Sequence, residues 1–170
     1  MKAVVQRVID ASVSVDNIVK GKIDWGLLVY LGVAHDDSES DALWLAEKIV
    51  CLRIFNDAEG KMNLSLKDLV DERRQAGILP ACADRHSCGV LHSFGVLAIS
   101  QFTLLADAKK GRRPSWNAAA LPEKANNLYE YFIEAVKKHN LVCESGEFQA
   151  NMKVSYTNDG PVTIILDTKV

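Results

Sequence analysis

The segment Ser100-Gln101-Phe102-Thr103-Leu104 places polar side chains directly after an apolar, strand-like run. Polar residues at a strand end are common in turns, where they bond to nearby backbone groups. Thr103 is also a candidate nucleophile, but a threonine hydroxyl needs a base to activate it. No His, Lys, Asp or Glu lies within the segment. The residues alone therefore allow two interpretations of this segment, a turn without function and a catalytic site.

A second segment, Asn158-Asp159-Gly160-Pro161-Val162-Thr163, separates two strand-like runs. Its composition is typical of a tight turn. Most X–Pro bonds are trans, so the residues alone assign Gly160-Pro161 neither a functional role nor an unusual bond. Arg7, near the start of the chain, by itself indicates only a polar position on a strand.

A third segment is strongly basic. Four positive charges fall within five residues, at Lys109, Lys110, Arg112 and Arg113, in a chain of net charge −2. A solvated surface loop and a phosphate-binding loop both have this composition. Because the segment closely follows the first one, its position favours phosphate contact, which positions a nucleic acid without reading its bases. Trp116, just beyond, could stack on a base or belong to the core.

The elements that must position these residues form a mixed α/β chain. Val and Ile content and alternation predict strands over residues 3–15, 18–23, 26–33, 93–102, 146–156 and 162–167. Asp16-Asn17 predicts a hairpin turn. Helical spacing predicts one helix after Ser38 or Ser40 and another from Pro122 to about residue 139.

Composition sets further bounds on function. A chain of 170 residues, 48% of them hydrophobic, fits one domain, and no repeat or linker interrupts it. The longest apolar run, residues 25–34, is too short to span a bilayer, and the start of the chain does not resemble a signal peptide. Four irregularly spaced cysteines then predict reduced thiols and a cytoplasmic protein. With net charge −2, any RNA contact must come from a local basic patch.

The two motifs at this spacing, behind an N-terminus reading Met1-Lys2-Ala3-Val4-Val5-Gln6-Arg7-Val8, resemble the D-aminoacyl-tRNA deacylases (D-tyrosyl-tRNA deacylases). The resemblance covers most of residues 1–70 and 93–168. It implies hydrolysis of the ester that joins a D-amino acid to tRNA, with Gly-tRNA as a further candidate substrate and no cofactor. It also implies a single domain over residues 1–170 with a three-layer α/β/β fold, in which a β-rich, barrel-like sheet carries two main helices outside.

The resemblance assigns roles to the first segment. It implies that the backbone N–H groups of Phe102 and Thr103 hold the ester carbonyl and the oxyanion that develops from it. Ser100 and Gln101 would shape the pocket. The 2′-hydroxyl of the terminal adenosine would assist the attack of water, so that Thr103 positions the substrate and carries no acyl group.

The resemblance also implies a homodimer with cross-inserted turns. A cis Gly160-Pro161 bond would present backbone carbonyls to the partner's active site, where an L-amino acid would collide with them and a D-amino acid would not. Arg7 would steady this turn. Asn158, Val162 and Thr163 would complete it. The basic residues Lys109, Lys110, Arg112 and Arg113 would contact tRNA phosphates.

Residues 71–92 do not fit the family pattern, which passes this point in a short turn; an excess of roughly twenty residues is long for a loop. This expected insertion holds Cys82, His86, Cys88 and His92. Four such ligands suffice for tetrahedral zinc, but the spacing is not that of a zinc knuckle. The favoured interpretation is therefore a surface loop without metal, with a zinc site as the alternative.

Two rival functions remain at this point. One is a tRNA-binding module that keeps the fold without the chemistry, with the insertion blocking the pocket. The other is an esterase that uses Thr103 as a nucleophile on small acyl esters.

Overall fold

The computed structural model describes residues 1–77 and 94–169. Its strands are β1 (Lys2–Val15), β2 (Ile18–Gly32), β3 (Phe55–Asn56), β4 (Met62–Leu64), β5 (Phe94–Ser100), β6 (Val142–Ser145) and β7 (Lys153–Asp167). Its helices are α1 (Glu39–Val50), α2 (Leu66–Gln75) and α3 (Pro122–Lys137). The mixed α/β fold that the sequence predicts is confirmed.

A long hairpin organises the main sheet. Asp16 and Asn17 have φ of +50° and +64°, the conformation that a two-residue hairpin turn requires. The sheet has the order β6-β5-β2-β1-β7. Strand β1 pairs antiparallel with both β2 and β7, whereas β5 runs parallel to β2 and β6. The carboxyl ends of the parallel strands β2 and β5 therefore lie at the same end of the sheet, and Ser100 is the last residue of β5.

Helices α1 and α3 cover one face of this sheet. Ser38 caps α1 in a capping box with Asp41, and Pro122 occupies the first turn of α3. Both helices bury their apolar stripes against alternate residues of the strands. The buried stripe of α3 consists of Leu128, Tyr129, Phe132, Ile133, Ala135 and Val136.

The parts of β1 and β2 next to the Asp16-Asn17 turn fold over the face of the sheet opposite to the helices. Val13 and Ile23 pack there with Leu97 and Ile99 of β5 in a second buried cluster. Gly26 (φ +142°) permits this curvature, since a Cβ at that position would lie 2.0 Å from the facing carbonyl oxygen of β5. This gives an α/β/β order of layers. The described strands do not close into a barrel, because β6 and β7 remain as edges.

Three details differ from the sequence predictions. The sequence predicts separate strands over residues 18–23 and 26–33, but β2 is continuous because Gly26 keeps the register at the bend. Residues 146–156 and 162–167 were also predicted as two strands, yet β7 is one strand that bulges in the middle. Helix α2 is a third helix, and it occupies residues 71–75 of the expected insertion. Its capping box, Ser65 with Asp68, is the sequence signal that could have found it.

Candidate functional site

The first motif lies where β5 ends. The Gln101 N–H donates to the carbonyl oxygen of Leu31 at 2.7 Å, which closes the ladder with β2. The chain then enters a 3-10 turn over Phe102–Leu105. Within the described residues, the N–H groups of Phe102 and Thr103 donate no hydrogen bond, as expected for the first residues of a helical turn. This strand end therefore presents two adjacent unused donors.

A cavity of about 630 Å³ opens beside this strand end. Ser100, Gln101 and Phe102 line it, together with the start of α3 and the segment that precedes β7. Sequence reasoning missed the residues of these other two elements. They include Ala125, Tyr129, Phe148, Gln149, Asn151 and Met152. No motif marked them, because they meet the first motif only through the packing of α3 and the approach to β7.

Tyr129 is the most buried polar side chain of the cavity wall. Its hydroxyl donates to the carbonyl oxygen of Ala98 at 2.8 Å. Burial raises the pKa of this hydroxyl well above its usual range. Tyr129 therefore stays protonated at neutral pH, so it can hold the wall in place but cannot serve as a general base.

Thr103 lies outside the residues that line the cavity, and its side chain is exposed. The Gln101 amide Nε2 donates to Thr103 Oγ1. An amide cannot accept the proton that an attacking hydroxyl must lose. The geometry thus gives the Thr103 hydroxyl a positioning partner and not an activating one.

The second motif forms a bulge in the edge strand β7. Gln6 of β1 pairs with Thr163, and Val8 pairs with Asn158, so residues 159–162 loop out opposite Arg7. The Gly160-Pro161 peptide bond is cis, the state that the resemblance implies.

Side chains within the strand fasten this bulge. Asn158 Nδ2 donates to Thr163 Oγ1 at 3.2 Å, and the Val162 N–H donates to Asn158 Oδ1 at the same distance. Gln6 Nε2 also donates to Thr163 Oγ1, at 3.1 Å. Gly160 has φ +123°, and a Cβ there would lie 2.7 Å from Val162 Cγ2. The bulge therefore needs glycine for two reasons, its backbone conformation and its lack of space.

Arg7 is 8% exposed and packs against the bulge. Its Nη1 donates to the carbonyl oxygen of Ile54 at 2.7 Å. Its Nε lies 2.9 Å from Asp159 Oδ2 but makes no hydrogen bond, so this contact is an ion pair only. A Cβ on Gly160 would lie 3.0 Å from Nη2. The structure thus brings Arg7 against the second motif, as the resemblance implies.

The two motifs do not meet within one chain. Ser100 is in register with Leu31, which pairs with Ala3, and Arg7 lies four residues along β1 from Ala3. The bulge is on β7, three strands away from β5. Strand spacings of about 4.8 Å and rises of about 3.3 Å per residue put the motifs roughly 20 Å apart along the sheet.

The basic segment is an exposed loop. Asp107 and Ser115 close its base with two backbone hydrogen bonds of 2.8 and 2.9 Å, and the Lys109 N–H donates to Asp107 Oδ1 at 3.0 Å. Its four cationic residues are all exposed. They are Lys109, Lys110, Arg112 and Arg113. The loop follows the 3-10 turn, whose first residue, Phe102, lines the cavity, so the loop begins close to the cavity wall.

The expected zinc ligands Cys82, His86, Cys88 and His92 lie outside the described residues. Across residues 1–77 and 94–169, no group of three or more His, Cys, Asp or Glu side chains is arranged to hold a metal ion. In the same part of the chain, no helix is long and apolar enough to cross a membrane.

Known proteins of one family are similar to this chain over nearly its whole length. The family described as D-Tyr-tRNA(Tyr) deacylase matches residues 4–74 and 86–167. The unmatched residues 75–85 lie within the expected insertion. A D-aminoacyl-tRNA deacylase of Koribacter versatilis is 50% identical over 169 residues, covering 99% of this chain and 98% of that protein. One of Thermosipho melanesiensis is 49% identical over 170 residues, with the same coverage.

Solved structures share the fold. A chain titled c-Myc DNA Unwinding Element Binding Protein superposes with a TM-score of 0.80 at 34% identity, covering 98% of both chains. A probable eukaryotic D-amino acid tRNA deacylase superposes with a TM-score of 0.73 at 14% identity, covering 97% of both chains, which shows a common fold alone. From the family match and the two bacterial relatives, this chain belongs to the D-Tyr-tRNA(Tyr) deacylase family.

Proposed function

We propose that this protein hydrolyses the ester of D-aminoacyl-tRNA, releasing the D-amino acid and the tRNA. The observation that carries the proposal is the end of β5, where Phe102 lines a cavity large enough for a small ligand and the N–H groups of Phe102 and its neighbour Thr103 are unused donors. Family membership supports the same reaction. Because tRNA is charged in the cytoplasm, that is where we expect the enzyme to act.

In this mechanism the N–H groups of Phe102 and Thr103 hold the ester carbonyl and stabilise the negative charge that develops on its oxygen. Ser100 and Gln101 shape the wall around the aminoacyl group. Water attacks the carbonyl carbon, assisted by the 2′-hydroxyl of the terminal adenosine. The tRNA 3′-oxygen leaves and takes up a proton, and the amino acid leaves as its carboxylate.

Selection against L-amino acids requires a second chain in this proposal. The bulge at Gly160-Pro161 lies roughly 20 Å from Ser100 of its own chain, by the strand spacing given above. A homodimer would insert the bulge of one chain into the cavity of the other. Its backbone carbonyls would then stand close to the substrate Cα and refuse the L-side chain by collision. Glycine has no side chain to refuse, so Gly-tRNA is also a candidate substrate.

The basic loop would hold the acceptor end of the tRNA. Lys109, Lys110, Arg112 and Arg113 are exposed on the loop that follows the first motif and can neutralise phosphates without reading sequence.

The direct experiment compares D-Tyr-tRNA with L-Tyr-tRNA, with Gly-tRNA as a third substrate, and follows release of the labelled amino acid. We expect rapid hydrolysis of the D-ester and almost none of the L-ester. Equal rates on the two enantiomers would contradict the proposal, and binding of tRNA without hydrolysis would favour the rival RNA-binding module. A trapped acyl group on Thr103 would favour the rival esterase.

A further inference from the structure

Three exposed apolar side chains belong to the cavity lining or lie next to it in the chain or in contact. Phe102 is 58% exposed, Trp116 is 40% exposed and Leu121 is 80% exposed. The rings of Phe102 and Trp116 meet edge to face, with centroids 5.7 Å apart. Large apolar groups that cluster at a surface commonly mark a binding site. We call the paired rings of Phe102 and Trp116 the aromatic platform.

The platform lies between the cavity and the basic loop. Phe102 lines the cavity, and Leu121 precedes Pro122, which also lines it. Trp116 directly follows Ser115, the residue that closes the basic loop. The platform therefore connects the cavity wall, at Phe102, with the base of the basic loop, at Trp116.

We infer that the platform stacks the base of the nucleotide that precedes the terminal adenosine of the tRNA. This inference rests on the proposed function. Exposed aromatic rings beside a row of cations are the arrangement by which proteins hold single-stranded RNA, with bases on the rings and phosphates on Lys and Arg. The four cations of the basic loop complement phosphates in a chain of net charge −2. Stacking contacts the face of a base, so it does not depend on which base occupies that position.

The inference predicts which step Trp116→Ala impairs. On D-Tyr-tRNA, kcat/KM should fall about 5- to 150-fold, the size expected for the loss of one stacked base. The loss should lie in KM, with kcat nearly unchanged. On the D-tyrosyl ester of adenosine alone, which lacks the preceding nucleotide, the variant should equal the unaltered protein. Trp116→Phe should keep most of the activity, since it keeps an aromatic face.

A matched control and an altered substrate sharpen the test. Trp44→Ala removes a similarly exposed tryptophan, 46% exposed on α1 and outside the described cavity, and should leave kcat/KM unchanged on both substrates. A tRNA that is abasic at the penultimate position should lose the same factor as Trp116→Ala, and the two losses should not add. Replacing the penultimate C by A should have little effect.

Different results would overturn different conclusions. If the unaltered protein fails to hydrolyse D-Tyr-tRNA, the proposed function is wrong. If it does hydrolyse D-Tyr-tRNA, but Trp116→Ala behaves like the unaltered protein on tRNA, the stacking inference alone is wrong. An equal loss on the adenosine ester would also overturn it, by placing Trp116 at the aminoacyl group. A change in the oligomeric state of Trp116→Ala and Trp116→Leu would overturn it as well, by showing that a second copy of the chain covers the platform.

Discussion

At the scale of single residues, the contact between Gln101 and Thr103 bears directly on the mechanism. The threonine hydroxyl accepts from an amide that cannot take up its proton. Tyr129, in the cavity wall, is held neutral by burial, which raises its pKa. Neither group supplies the base that a covalent mechanism needs, which favours attack by water.

We therefore expect Thr103→Ala to keep its activity within about tenfold of the unaltered protein, measured as single-turnover hydrolysis of D-Tyr-tRNA. Removal of a true nucleophile usually costs several orders of magnitude. Thr103→Ser serves as the control that keeps the hydroxyl. Complete loss in a folded Thr103→Ala protein, with activity restored in Thr103→Ser, would instead support the covalent mechanism.

The substrate offers a complementary prediction. A tRNA that ends in 2′-deoxyadenosine lacks the hydroxyl proposed to assist water. Its D-aminoacyl ester should therefore react at least about tenfold more slowly, with binding little changed. Rates should be compared at saturating enzyme, with the ribose substrate as reference. Equal rates would show that the protein itself activates the water.

Arg7 is the residue whose loss should affect stability and activity together. Arg7→Ala leaves the carbonyl oxygen of Ile54 without its donor and frees Asp159, so we expect unfolding free energy to fall by about 1–3 kcal/mol. Asp159→Asn should cost less, because Asp159 is partly exposed and the hydrogen bond to Ile54 remains. Chemical denaturation and deacylation assays measure the two effects. No change in either for Arg7→Ala would show that Arg7 does not hold the bulge.

At the scale of elements, the basic loop is separate from the cavity in which we propose that the ester is hydrolysed. It is closed at its base by Asp107 and Ser115 and lies outside the residues that line the cavity. Its role in the proposal is electrostatic, so it should contribute to binding and not to the catalytic step.

The double variant Arg112→Gln/Arg113→Gln should raise KM for D-Tyr-tRNA and leave kcat and the D-to-L preference unchanged. The slope of log KM against log salt concentration should fall by about 1.5, if each arginine contacts one phosphate. Lys61→Gln/Lys67→Gln removes the same charge elsewhere and should change neither quantity. An unchanged salt slope in the loop variant would place the tRNA on another surface.

At the scale of the whole molecule, the proposal divides each active site between two chains. The cavity and its donors belong to one chain, and the bulge that refuses L-amino acids belongs to the other. Such a division can be tested by complementation between two defective chains.

One chain would carry Gly160→Ala, which strains the bulge through φ +123° and contact with Val162. The other would carry Ala125→Trp, which fills the cavity that Ala125 lines. Because the bulge also positions the substrate Cα in this proposal, each homodimer should be inactive on D-Tyr-tRNA, whereas the mixed dimer should recover about half of the normal activity. Its one working site combines the cavity of the first chain with the intact bulge of the second.

Purified mixed dimers, carrying a different tag on each chain, allow this measurement. Mixed dimers of each variant with the unaltered chain provide the reference for one working site. If the bulge served the cavity of its own chain, the dimer of two defective chains would stay inactive. A protein that is monomeric in solution would contradict the shared site directly.

Local pattern was sufficient to predict most elements. Strand β1, the Asp16-Asn17 turn and helices α1 and α3 follow from alternation, turn chemistry, capping and helical spacing, which act between near neighbours in sequence. The same reasoning was wrong where local signals conflict with pairing. Residues 159–162 have the composition of a turn, but the pairing of both flanks with β1 keeps β7 as one strand.

The sequence by itself determined which residues carry the family motifs, because motif identity is a property of residue type and spacing. Only the tertiary structure decided which other groups share the cavity. Tyr129 on α3 and Met152 before β7 share the cavity with Ser100 through packing between elements distant in sequence. The burial of Arg7 against the bulge likewise depends on strand register. Contacts of this kind arise from burial and pairing across the whole fold, so no local pattern encodes them.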